Sequence, residues 1–241
     1  SRRQRQMCIR DRYGNEYGCK MIKKIDILGI QLDNYTVREA IMRVEAWYDN
    51  NMLNVIEMVS MQMLTESESD PVLKEVISSL DLAVIGEKGI LQAAGVDTMQ
   101  RIRETEENDF SDEFLKRVER NRKSVFIIGE TQGAVDEFTQ ELREEYPKLV
   151  LAGAAATENC VGDLEGVINE MNAATPDVII SIIPSPGQEH FLVEHRDKIN
   201  ANLWYGIGGF EVHRKRSRIK GFFWNLIHRV RLKNSIEKYE S

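Results

Sequence analysis

A carboxamide and a carboxylate, Gln188 and Glu189, follow directly on the turn Pro184-Ser185-Pro186-Gly187, and that turn stops a β-branched apolar run at 178–183. An amphipathic segment starts immediately after it. Open α/β sheets bind ligands where a strand ends in such a turn beside a helix N-terminus, because free backbone N–H groups and the helix dipole favour anions there. A carboxylate in the first turn can complement the dipole. It can also accept hydrogen bonds from a pair of ribose or sugar hydroxyls. A turn of this composition can equally do no more than reverse the chain.

Two further stretches have suitable chemistry. Gly129-Glu130-Thr131-Gln132-Gly133 lies between an apolar run and a helical one, and its small residues let N–H groups face an anion. Its spacing is neither G-x-G-x-x-G nor a Walker loop, so it is a weak signal for a dinucleotide or ATP. Gly206-Ile207-Gly208-Gly209 ends another apolar run. His190, His195, His213 and His228 show no metal-ligand spacing, and no metal is expected. Cys8, Cys19 and Cys160 form neither a metal pattern nor an even disulfide framework, which fits a reduced, cytosolic setting.

The elements that must hold these residues can be read from periodicity. Residues 25–30 read as a strand that continues through a bend to 35. Thr36 with Glu39 forms a capping box before a helix at 37–49, whose face carries Val37, Ile41, Val44 and Tyr48. Strands are expected at 54–60 and 82–85, with a helix at 61–67 and another opened by Asp70-Pro71. The charged stretch 103–123 reads as a loop at 105–109, then a helix at 112–121 capped by Ser111, with its charges solvated. From residue 124 onward, strands at 124–128, 149–154, 178–183 and 203–207 alternate with helices at 133–146, 164–174 and 188–200. Such alternation predicts βαβ units and a largely parallel sheet.

Taken in order, Ser185-Pro186-Gly187-Gln188-Glu189, Glu194-His195-Arg196-Asp197 and Gly206-Ile207-Gly208-Gly209 resemble the TagA/WecG/CpsF family of bacterial glycosyltransferases. The likeness runs from about Met21 to near the C-terminus and includes 125–153. The resemblance implies a two-lobed α/β fold, Rossmann-like in its C-terminal half. It implies transfer of an N-acetylhexosamine, typically N-acetylmannosamine, from a UDP-sugar to a lipid-linked acceptor in cell-envelope polymer synthesis. The UDP-sugar is the donor substrate, and no cofactor is implied. Carried onto this chain, the nucleotide and substrate contacts fall on Gly129, Thr131, Gln132, Gly133, Ser185, Pro186, Gln188, Glu189, Gly206, Gly208 and Gly209.

The chain departs from the family at several positions. Gly187 stands where a Lys is usual. Met58 and Ser60 stand at a T-x-N pair, and Gly86 stands where the family has the Asp thought to be the catalytic base. Glu87, one residue away, is the candidate substitute base, and Asp81 lies at the start of the same strand. The rival reading is a catalytically impaired paralogue that keeps the cleft and binds a nucleotide-sugar or a partner. An unrelated nucleotide-binding α/β domain is the third.

At 241 residues the chain can bury a sizeable core. Its net charge of −7 is uneven: residues 211–241 carry +6 and the rest −13. The tail has Arg214, Lys215, Arg216, Arg218, Lys220, Arg229 and Arg231 around Phe222, Phe223 and Trp224. That pattern suits a basic amphipathic helix on an anionic membrane. The family carries such an appendage; here it is shorter and lacks the family's Pro. The acidic body argues against nucleic acid. No apolar run is long enough to span a bilayer, so the expected location is the cytoplasmic face of the cell membrane, held peripherally. A homo-oligomer is left open. Residues 1–20 lack any apolar period, and RRQRQMCIRDR within them resembles translated sequencing-adapter read-through. They are expected to be an artefactual or disordered extension before a start at Met21. The expected organisation is therefore an acceptor-side lobe at 21–122, a nucleotide-sugar lobe at 123–210 and the appendage at 211–241.

Overall fold

The structure is a computed structural model that describes residues 23–50, 52–160 and 164–207. The N-terminal extension, the basic appendage, Gly208 and Gly209 lie outside the described residues.

The chain begins with a hairpin, β1 (Lys24–Ile27) and β2 (Ile30–Asp33), where one bent strand was expected. Leu28 and Gly29 both adopt positive φ, 52° and 79°, as a two-residue loop between antiparallel strands requires. Leu tolerates this conformation poorly, so the turn carries no sequence signature. Helix α1 (Val37–Trp47) starts at the predicted capping box: Thr36 accepts from the Glu39 N–H, and Glu39 accepts from the Thr36 N–H.

Next come β3 (Asn54–Val59), α2 (Met61–Glu66), α3 (Pro71–Ser79), β4 (Leu82–Ile85), α4 (Lys88–Ala93), α5 (Met99–Glu106) and α6 (Asp109–Arg120). Helices α4 and α5 were not foreseen. Ser111 is not a cap. It lies inside α6, buried, with its hydroxyl 2.5 Å from that of Tyr205. The charges of α6 face outward, as expected, while Phe110, Phe114, Leu115 and Val118 are buried. The second half runs β5 (Ser124–Gly129), α7 (Gln132–Glu145), β6 (Val150–Ala156), α8 (Glu165–Ala173), β7 (Val178–Ser181), α9 (Gly187–His195) and β8 (Leu203–Gly206).

Six strands form one parallel sheet in the order β4-β3-β8-β7-β5-β6. The expected α/β fold with a largely parallel sheet is present. The sheet also takes in β3 and β4 from the N-terminal half, because β8 inserts beside β3. Successive residues point to opposite faces, and both faces are apolar. Ile56, Met58, Ile127, Ile180 and Tyr205 pack under α1, α6 and α7. Val55, Phe126, Ile128, Ile179 and Trp204 pack under α8 and α9. Each such side chain gains about 1.5–3 kcal/mol on burial, so the sheet is stable only with helices on both sides. The hairpin closes over a third cluster, which contains Val59, Ala83, Ile85 and Leu91. Among the described residues, no helix is long and apolar enough to cross a membrane.

Candidate functional site

Strands β8, β7 and β5 are neighbours, so their carboxyl ends lie side by side. The connection after β5 leads outward through α7 to β6. The one after β7 leads the other way, through α9 to β8. Adjacent strands whose connections diverge open a crevice between them, and ligands bind in such crevices. The ends are tied together: Ile182 N–H donates to Ile128 C=O at 2.8 Å, and Ile207 N–H to Ser181 C=O at 2.9 Å. The turn after β5, the turn after β7 and Gly206 therefore share one edge of the sheet.

Helix α9 brings Gln188 and Glu189 to this edge, yet both are fully buried. Ser185 is half-buried and Pro186 exposed. The Gln188 amide donates to Glu189 Oε1 at 3.2 Å. Among the described residues, Gln188 Oε1 receives no hydrogen bond, and Glu189 Oε2 has only the Ser185 hydroxyl near it. Facing them is Glu57 of β3, also fully buried, with neither carboxyl oxygen hydrogen-bonded. Burial pushes the Glu57 carboxyl well above its ordinary value, and the nearby Glu189 charge pushes it further. Burial also raises the Glu189 carboxyl. Its own N–H, Gln188 and Ser185 pull the other way.

Gly206 sits opposite both Glu57 and Ser181 in the sheet. A Cβ there would come within 2.8 Å of the Gln188 amide and 2.9 Å of Glu57 Cγ. Only glycine leaves room for these side chains.

The turn after β5 is built differently. Gly129 is needed for space, since a Cβ would meet Val135 at 2.7 Å and Ile182 at 2.9 Å. Thr131 caps α7 by accepting from the Ala134 N–H at 3.3 Å. The Gln132 N–H, which an anion could use, already donates to the Glu158 carboxylate. The Gln132 side chain accepts from Asn159 at 2.7 Å and donates to Asp136 at 2.7 Å. Gly133 is exposed, and a Cβ there would touch nothing within 4 Å, so nothing local demands glycine. Beside this network lies an open cleft of about 460 Å³, bounded by Gln132, Ala154–Ala156, Asn159, Cys160 and the first half of α8. That volume lies in the range of small-molecule sites.

The ends of β3 and β4 contain little that could move a proton. Met58 is packed in the core with its sulfur 3.4 Å from the Ser111 hydroxyl. Ser60 caps α2, accepting from the Met63 N–H at 3.1 Å. Gly86 has no side chain. Glu87 is half-buried and accepts from the Met61 N–H at 3.3 Å. Asp81 is turned toward the other end of the sheet, where it accepts from the Val55 N–H and from Arg196. Among the described residues, no three His, Cys, Asp or Glu side chains cluster so as to hold a metal ion.

Two members of the site escaped the sequence reading. Glu57 is a lone carboxylate in the apolar run NVIEMV, and that anomaly was its only signal. Glu158 follows β6 and had no signal at all, since its role depends on β5 and β6 being paired.

N-acetylglucosaminyldiphosphoundecaprenol N-acetyl-beta-D-mannosaminyltransferase of Staphylococcus aureus (strain COL) is 23% identical over 191 residues, covering 77% of this chain and 73% of that protein. The protein of the same name from strain MRSA252 is 22% identical over the same coverage. The family model described as "Glycosyl transferase WecG/TagA/CpsF family" matches residues 25–213, from β1 through the whole parallel sheet. The chain therefore belongs to the WecG/TagA/CpsF family of glycosyl transferases.

Proposed function

We propose that this chain transfers an N-acetylmannosamine residue from a UDP-sugar to a lipid-linked acceptor. The observation that carries the reading is the family match over a sheet whose β8, β7 and β5 ends adjoin. The donor nucleotide is assigned to the side formed by residues 123–210, with its base and ribose in the open cleft beside Gln132 and Asn159. The acceptor is assigned to the ends of β3 and β4, within 21–122. Departure of UDP builds negative charge on the diphosphate, which the N-terminus of α9 can stabilise, and that of α7 once the Glu158 carboxylate releases the Gln132 N–H. The basic appendage, Arg214 to Arg231, would hold the protein at the lipid surface that presents the acceptor. The acceptor hydroxyl must also lose its proton, and Glu87 is the nearest candidate base.

A second reading is favoured by a specific observation. Gly86 has no acid group, Met58 is in the core, and Ser60 and Glu87 are both engaged at the start of α2. Such a chain would bind the sugar nucleotide and transfer it slowly or not at all.

Calorimetry with UDP and a transfer assay with UDP-N-acetylmannosamine and a diphosphate-lipid acceptor separate the readings. UDP is expected to bind, and Gln132→Ala with Ser185→Ala to weaken it about tenfold, the loss of one or two hydrogen bonds. Gly86→Asp is expected to raise turnover on the order of 10²-fold, the lower range for a positioned base. Binding without transfer in both parent and Gly86→Asp supports the second reading. No UDP binding rejects both.

A further inference from the structure

We propose that Glu57 is a positioning residue for the N-terminal end of α9: its carboxyl and that of Glu189 hold one proton between them, and this proton keeps Gln188 and α9 closed against β8.

The geometry leaves few alternatives. Gln188 and Glu57 fill the space above Gly206, where even one added carbon would come within 2.9 Å of both side chains. Glu57, Gln188 and Glu189 are all fully buried. Among the described residues, both Glu57 oxygens and Gln188 Oε1 lack a donor, and the Ser185 hydroxyl is the one donor beside Glu189 Oε2. With both carboxyls ionised, two like charges and several acceptors short of donors would share a buried space, which is strongly unfavourable. One proton removes a charge and turns one acceptor into a donor aimed at another.

Among the described residues, the surroundings offer no counter-charge. β8 (LWYG) and β4 (LAVI) contribute no charged residue, and β7 contributes Ser181. On α9, His190 acts on Glu189, but its ring faces Asp70 at the start of α3, 3.1 Å away. His195 and Glu194 pair with each other one to two turns further along. The upward shifts of both carboxyls agree with a retained proton.

The sign of the pH dependence follows. The folded chain keeps a proton that the unfolded chain releases above the ordinary value of 4.5. The stabilisation is complete below that value and is lost as pH rises toward the folded-state value.

The test uses the full chain. In infrared spectra at neutral pH, the parent should show a protonated-carboxyl band that fades at alkaline pH. Glu57→Gln should remove it, and the exposed control Glu68→Gln should keep it. Melting temperature should fall as pH rises from about 5 to about 9, and Glu57→Gln should at least halve that slope. Glu189→Gln should act in the same way, and it decides the matter if Glu57→Gln fails to fold. Absence of the band in the parent overturns the proposal, as does a parent-like slope in the folded Glu57→Gln or Glu189→Gln protein. The effect on ligand rests on the nucleotide-sugar reading: UDP affinity should drop about tenfold across that pH range in the parent and stay level in Glu57→Gln. If neither protein binds UDP while band and slope behave as stated, the nucleotide reading fails and the proton-sharing pair stands.

Discussion

Gly206 shows how much one residue decides here. The loop pattern makes it look like one of several interchangeable glycines, yet its missing side chain is the space in which Glu57 and Gln188 meet. Gly206→Ala should destabilise the protein by about 1–3 kcal/mol, the cost of overpacking a tight core. Gly133→Ala, in the open first turn of α7, should be neutral or gain up to about 1 kcal/mol from helix propensity. Urea titration of the two variants checks both values, and equal effects would refute the contrast. Glu57 teaches the complementary lesson. A carboxylate inside NVIEMV is visible in the sequence, but its partner lies 132 positions away on α9. Only the pairing of β3 with β8 brings them together.

At the scale of elements, local chemistry was legible where a cap or a period wrote it down. Thr36 with Glu39 and Asp70 with Pro71 start α1 and α3 as their sequences predict. The hairpin was not legible, because Leu28 takes a backbone conformation that leucine rarely adopts. Helix α5 was hidden by its charge: Arg101 is buried, bonded to Asn34 at 3.2 Å and to Glu104 at 2.7 Å. The hairpin also performs a task that its sequence does not announce. Among the described residues β4 is an edge strand, and Asp33 at the end of β2 accepts from its Ala83 N–H at 3.1 Å while pairing with Lys24 at 2.8 Å. Asp33→Ala leaves that buried donor without a partner and should cost about 1–3 kcal/mol. The measurement is equilibrium unfolding. Protection of the Ala83 amide from hydrogen exchange should fall as well.

For the whole molecule, the charge division is the feature that reaches furthest beyond the sheet. A body of −13 with a tail of +6 is a property of sequence. It predicts that the full chain sediments with anionic vesicles, that salt weakens this sharply, and that neutral vesicles do not bind. Each near-surface basic residue is worth about 1 kcal/mol and is screened within a Debye length. Removing 211–241 should abolish co-sedimentation; equal sedimentation of both proteins would refute membrane attachment through the tail. The sequence by itself determined the α/β class, the order of the strands along the chain, most helix starts and the family. These are written in short-range periodicity, in caps and in the order of motifs. The tertiary structure decided the rest. It made one six-stranded sheet reaching from β4 to β6, placed the Glu158 carboxylate on the start of α7, and set Glu57 against Gln188 and Glu189. The reason is physical: strand order, and with it the burial of a charge, depends on which distant strands pair. No local pattern along the chain encodes that choice.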